Sequence, residues 1–192
     1  DITVITPVFG DDEVMFFVAS RGHHADVGGS TPGSMPPDST RLTEEGVLLD
    51  NFHLVEDHAF RETALRRLLV SGKYPARNTD QNVADLRAQI AANERGIQEL
   101  KRLTAQFGRD TVSAYMAFVQ ANAESSVRRV ISRLSDGRFC CAMDAGCRIS
   151  VAVSINKNGR KARIDFTGTS AQQPNNLNAP AAIARAAVLY VF

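Results

Sequence analysis

The stretch "NVADLRAQIAANERGIQELKRLTAQF", residues 82–107, decides the architecture. Leu86, Ile90, Ile97, Leu100, Leu103 and Phe107 fall on one apolar stripe, which predicts a helix over about 83–107. Gly108 interrupts the pattern. Val112, Met116, Val119, Ala123, Val127 and Ile131 then carry a second helix over about 110–134. Two long amphipathic helices with a short break between them predict an antiparallel helical hairpin. Neighbours such as Glu94/Arg95 and Glu124/Arg128 give the outer faces mixed charge, as on a solvated surface.

Outside these helices the period changes to two. "ITVITPVF", 2–9, and "VMFFVAS", 14–20, read as a β-hairpin turned by Gly10, Asp11 and Asp12. Both runs are almost wholly apolar, which predicts strands buried on both faces. Residues 46–55 are expected to return as a strand. Phe60, Ala64, Leu65, Leu68 and Leu69 predict a helix over 56–71, stopped by Gly72. Beyond Asp136 and Gly137, Ile149, Val151, Val153 and Ile155 alternate strictly. "NKNG", 156–159, turns the chain, and Ala162, Ile164 and Phe166 alternate on the far side. A polar loop, 167–180, leads to Pro180, which fits the start of a last helix. The expected fold class is α+β: β-hairpins forming a mixed sheet packed against a long antiparallel helical hairpin. Residues 1–55 are strand-rich, 56–135 helical, and 136–192 a β-hairpin, polar loop and helix start.

The chain has 192 residues, enough for a substantial core, and a formal net charge of +1. No basic excess points to nucleic acid, and no apolar run is long enough to span a membrane. Cys140, Cys141 and Cys147 make a poor disulfide framework and lack zinc-site spacing. They read as reduced, buried thiols of a cytoplasmic protein. The chain starts on Asp1 directly before a strand and stops inside the apolar run "AAVLYVF", 186–192. Domain ends are usually polar, so a piece of a longer polypeptide is expected.

Chemistry is most concentrated in "SRGHHADVGGSTPGS", 20–34. A phosphate cradle is disfavoured, because no Lys follows the glycines in P-loop spacing and no helix pattern begins there. Ser20, Ser30 and Ser34 lack a G-x-S-x-G elbow. His23, His24 and Asp26 offer imidazole nitrogen and carboxylate oxygen, which suit zinc or a divalent transition ion. Asp1, before the partner strand, is a possible third ligand. The alternative is a polar loop with a His–Asp hydrogen bond. His53, in a strand, and His58, near a helix start, read as structural.

The blocks "ASRGHHADVGGSTPGSMPPDST", 19–40, "NVADLRAQIAANERGIQEL", 82–100, "AYMAFVQANAE", 114–124, and "IDFTGTSAQQPNNLNAP", 164–180, resemble the hydantoinase B/5-oxoprolinase family. They look most like its ATP-dependent 5-oxoprolinase branch. The resemblance implies an internal portion of a larger hydantoinase B-type domain. It implies a part in opening the lactam of 5-oxo-L-proline to L-glutamate. ATP and Mg would be bound by a hydantoinase A-type half, in the same polypeptide or a partner subunit. It implies a divalent metal on Asp1, His23 and Asp26, with Asp1 closing the family's H-x-P-D element. Arg21 stands where metal-binding relatives can carry a second histidine. His24 is a candidate base near neutral pH. Asp165, Thr167, Gln172 and Asn178 are candidates for binding the substrate. A homo-oligomer is expected, and the isolated piece is expected to be inactive. Two alternatives stand beside this: a hydantoinase or carboxylase subunit of the same superfamily, and a structural or docking segment with the chemistry elsewhere.

Overall fold

The computed structural model describes residues 1–10 and 13–192, so the expected turn residues Asp11 and Asp12 lie outside the described residues. The chain divides into two units, Asp1–Gln106 with Pro174–Leu177, and Phe107–Gln173 with Asn178–Phe192.

The first unit opens with β1 (Ile2–Gly10) and β2 (Glu13–Gly22), paired antiparallel with a register shift at Val8/Phe9. Only one face of this hairpin is covered. Val8 is fully buried, whereas Ile5, Phe9 and Phe17 stand exposed on the other face. The apolar composition of both runs had predicted two covered faces. The chain next makes a polar loop, a single-turn α1 (Leu42–Glu45), and a two-residue hairpin, β3 (Val55–Glu56) with β4 (Ala59–Phe60). Asp57 and His58 take positive φ in its turn, which matches the twist of a tight hairpin. The strand expected over 46–55 is therefore confined to its end. The helix expected over 56–71 is shortened to α2 (Glu62–Leu69). His58 lies in the tight turn and His53 in a loop, not near a helix start and in a strand.

The helix α3 (Thr79–Phe107) starts four residues before the start at 83 expected from its pattern. The Asn78 side chain accepts the Gln81 N–H at 3.1 Å and satisfies a first-turn donor. Leu65 and Leu69 of α2 pack with Ala76, Val83 and Leu86, while Ile2, Val4, Leu49, Phe52, Leu54 and Phe60 close around them. Leu86 is 1% exposed. Its replacement by alanine is expected to cost about 2–5 kcal/mol, read as a lower denaturant midpoint of the first unit. Glu62 accepts from Arg66 at 2.8 Å and from Arg87 at 2.7 Å, which ties α2 to α3.

The second unit contains α4 (Arg109–Ile131), an antiparallel meander of β5 (Gly137–Ala142), β6 (Arg148–Asn156) and β7 (Lys161–Asp165), and α5 (Ala181–Val191). The β6–β7 hairpin and a last helix after Pro180 match the sequence pattern. The strand β5 does not: "GRFCCA" shows no alternation, and all six of its residues are exposed. Cys140 and Cys141 are consequently exposed free thiols, not buried ones, and Cys147 is half-buried. The fold is thus α+β, with long helices and small sheets. A mixed sheet is not formed, because each strand pairs antiparallel with its sequence neighbour through a short connection, giving three separate sheets among the described residues. No helix of the described residues is long and apolar enough to cross a membrane.

Candidate active site

The register of the first hairpin builds the site. Ile2 pairs with Gly22, so residues 1 and 23 leave the last rung side by side. The Asp1 carboxylate meets His23 Nδ1 at 2.9 Å, and both side chains remain accessible, at 46% and 70%. Arg21, one rung back, donates to the Thr3 hydroxyl at 2.9 Å.

His24 points the other way and is 4% exposed. Its Nε2 lies 3.2 Å from Gln89 Oε1, and its Nδ1 lies 3.4 Å from the Asn82 side-chain nitrogen. A ring so enclosed does not present a base to a bound substrate, contrary to the sequence expectation. The residues that enclose it were missed by the sequence reading. Asn82, Gln89 and Asn93 follow at intervals of seven and four along α3, so they share one face, and all three are buried. Gln89 Nε2 donates to the carbonyls of Ile2 at 3.0 Å and Ser20 at 3.1 Å. Asn93 donates to the Val4 carbonyl at 3.1 Å and the Thr6 hydroxyl at 3.0 Å. Amides on a helix face that also carries Val83 and Leu86 were the available signal.

Asp26 is directed away from Asp1 and His23. Its carboxylate accepts from the Arg77 guanidinium at 2.5 Å, and from the amides of Gly28 at 2.9 Å, Arg77 at 3.2 Å and Gly33 at 3.4 Å. Burial opposes its charge, but the Gly28 and Arg77 hydrogen bonds and the guanidinium charge together hold the carboxyl below its ordinary value of 3.8. Because the folded value is the lower one, this anchor stabilises the loop fully above about pH 4 and is lost as pH falls through the lowered value. Asp26→Asn is expected to remove that acid-side dependence, measured as loop amide exchange between about pH 5 and pH 2.

The glycine loop is saturated from within. Val27 donates to the Ser34 hydroxyl, Gly29 to the Tyr74 carbonyl, Ser30 to the Glu44 carbonyl and Ser34 to the Thr31 carbonyl. With Gly28 and Gly33 bound to Asp26, these amides are already engaged within the protein. The hydroxyls of Ser20, Ser30 and Ser34 each donate to a backbone carbonyl, of Gln89, Glu44 and Gly28 respectively. None is paired with a histidine as a nucleophile would be.

Asp1, His23 and His24 line a cleft of about 1830 Å³ that runs along β1 and α3, with His53 and His58 also on its wall. Carboxylate oxygen and imidazole nitrogen at Asp1 and His23 suit a divalent cation. Asp26 does not fit as their companion, since Arg77 and three amides hold its oxygens. Among the described residues no group of three or more His, Cys, Asp or Glu side chains is placed to hold a metal ion.

The remaining candidates lie in the second unit. Asp165 ends β7 and accepts the Thr167 N–H at 2.9 Å in a local turn. Thr167 and Gln172 are exposed. Asn178 grips Gln173 twice, accepting its N–H and donating to its carbonyl, both at 2.9 Å. Between them, Pro174–Leu177 belongs to the first unit, where the Asn176 N–H meets the Pro37 carbonyl at 3.3 Å.

The chain belongs to the hydantoinase B/oxoprolinase family, whose sequence profile matches residues 1–192. It is 45% identical to 5-oxoprolinase 1 of Arabidopsis thaliana, over 99% of this chain and 17% of that protein. It is 40% identical to the 5-oxoprolinase of Saccharomyces cerevisiae, over 99% of this chain and 16% of that one. The chain therefore spans about a sixth of the length of these relatives. The fold is shared with the crystal structure of an ATP-dependent caprolactamase from Pseudomonas jessenii, with a TM-score of 0.79 at 24% identity, over 97% of this chain and 32% of that one.

Proposed function

We propose that this chain forms part of the hydrolytic half of an ATP-dependent 5-oxoprolinase, which opens the lactam of 5-oxo-L-proline to L-glutamate. The observation that carries the reading is the accessible Asp1–His23 pair on the wall of a cleft of about 1830 Å³. The 5-oxoprolinase relatives support the substrate class. A cyclic amide is a poor electrophile. Transfer of the ATP γ-phosphoryl group to its oxygen activates the ring carbon. Water adds there, and the ring C–N bond breaks as the nitrogen takes a proton and becomes the free amine. A second water hydrolyses the resulting acyl phosphate to carboxylate and phosphate. The ATP and Mg for the first step are assigned to a hydantoinase A-type half, in the same polypeptide or in a partner subunit.

His23 would hold a divalent cation through Nε2, with the Asp1 carboxylate orienting its ring. Such an ion, when bound, lowers the pKa of water toward about 7. The protein's own part is orientation: the Asp1 carboxylate fixes the His23 ring through Nδ1 and leaves Nε2 as the nitrogen turned away from it. Asp26 with Arg77 holds the loop that follows. Exposed Tyr115, Phe118 and Val119 on α4 support an assembly surface on the second unit.

The test is an assay of the complete enzyme with ATP against 5-oxoproline and hydantoins. ADP formation coupled to glutamate release is the expected outcome. Turnover of hydantoins with none of 5-oxoproline would move the assignment to the hydantoinase branch.

A further inference from the structure

We infer that Gln89 is a positioning residue for the Asp1–His23 pair, an inference that rests on that pair being the hydrolytic centre. The orientation of the Gln89 amide is forced. Its Nε2 faces two carbonyl oxygens, Ile2 and Ser20, which only accept hydrogen bonds. Oε1 therefore faces His24 Nε2, and that nitrogen must carry the hydrogen. The Asn82 side-chain nitrogen gives one hydrogen to the Asp26 carbonyl at 2.8 Å, and its other faces His24 Nδ1 at 3.4 Å. His24 Nε2–H is thus the donor to Gln89, and Nδ1 faces Asn82. The Asp85 carboxylate is 3.6 Å from Nδ1, beyond hydrogen-bond length.

One side chain consequently holds three things at once. It holds the residue after Asp1, the end of β2 that leads into His23, and the neighbour of His23 in the chain. Gly22 makes room for it, because a Cβ there would lie 3.2 Å from the Gln89 amide carbon. Gln89 is 8% exposed, so removing its amide takes a hydrogen-bond partner from two carbonyls and a ring N–H in a closed site. The strand ends, and with them Asp1 and His23, lose their fixed spacing. Orienting groups of this kind are worth about 10–100-fold in metal affinity or activity.

The test uses the complete enzyme and the variants Gln89→Met, which keeps length without polar atoms, and Gln89→Glu, which keeps an acceptor for His24 but loses both donors. In the unmodified enzyme, ¹⁵N-resolved imidazole spectra are expected to show His24 with its proton on Nε2, bonded to Gln89. Gln89→Met is expected to lose that signature and about 10–100-fold in kcat, with KM for ATP unchanged. A purely structural residue would lower yield and melting temperature without that split. Should Gln89→Met not fold, Gln89→Glu and the tautomer of the unmodified enzyme decide. An Nδ1–H tautomer for His24, or unchanged kcat in a folded Gln89 variant, overturns the inference. Turnover lost in His23→Ala but kept in Gln89→Met overturns this inference alone. Turnover kept in both overturns the reading beneath it.

Discussion

His23→Ala is expected to reduce ATP-dependent lactam opening about 10²–10⁴-fold while leaving ATP binding intact. The expectation follows from exposure and pairing together. His23 and Asp1 are both solvent-accessible, at the cleft, and bonded through Nδ1 at 2.9 Å. An accessible imidazole with only Nδ1 engaged by Asp1 can hold an ion or move a proton, whereas the ring of His24 is buried. Asp1→Asn keeps the shape of the pair but weakens its hold on the ring. It should fall between wild type and His23→Ala. Single-turnover measurement of ADP and glutamate separates the two half-reactions. Phosphorylation without hydrolysis is the outcome specific to this centre, since the ATP step is assigned to another part of the enzyme.

Gly28→Ala is expected to destabilise the first unit by about 2–5 kcal/mol. Gly28 has φ of 90°, where an alanine costs about 1–2 kcal/mol. An added Cβ would also overlap the Tyr74 carbonyl oxygen and lie 3.1 Å from the Pro75 carbonyl carbon. Overpacking of this kind adds about 1–3 kcal/mol. Neither obstacle is a flexible side chain, so relief requires moving the segment that carries Arg77. Gly33 is the internal control. Its φ is 82°, but a Cβ there meets nothing within 4 Å, so Gly33→Ala should cost only the conformational part, about 1–2 kcal/mol. Thermal unfolding of the two variants checks both values. Equal losses would show that close approach to Tyr74 does not govern the loop.

Much of the fold could be read from residue order, and particular residues show where this stopped. The long helices and the β6–β7 hairpin are strongly periodic, so their pattern survives any tertiary context. Residues 46–60 were misread because their apolar residues pack onto the core from loops. The positive φ of Asp57 and His58 has no periodic signature. The strand β5 was invisible because an exposed strand need not alternate. At the site, the prominence of "HH-x-D" drew attention to three residues that the fold sends three ways. His23 goes to Asp1, His24 to Gln89 and Asn82, and Asp26 to Arg77. Successive residues leaving a strand diverge, and Arg77 is 51 positions away from Asp26, so spacing could not assign these partners. Polar residues on the core face of α3 were the clue that a purely apolar stripe concealed.

The most direct measurement is the metal content and 5-oxoproline-dependent ATP turnover of the complete enzyme as purified, beside Asp1→Ala, His23→Ala and Asp26→Asn. Asp1→Ala and His23→Ala are expected to lose bound divalent metal and hydrolysis together, while Asp26→Asn keeps the metal. Full metal content and full turnover in His23→Ala would contradict this expectation.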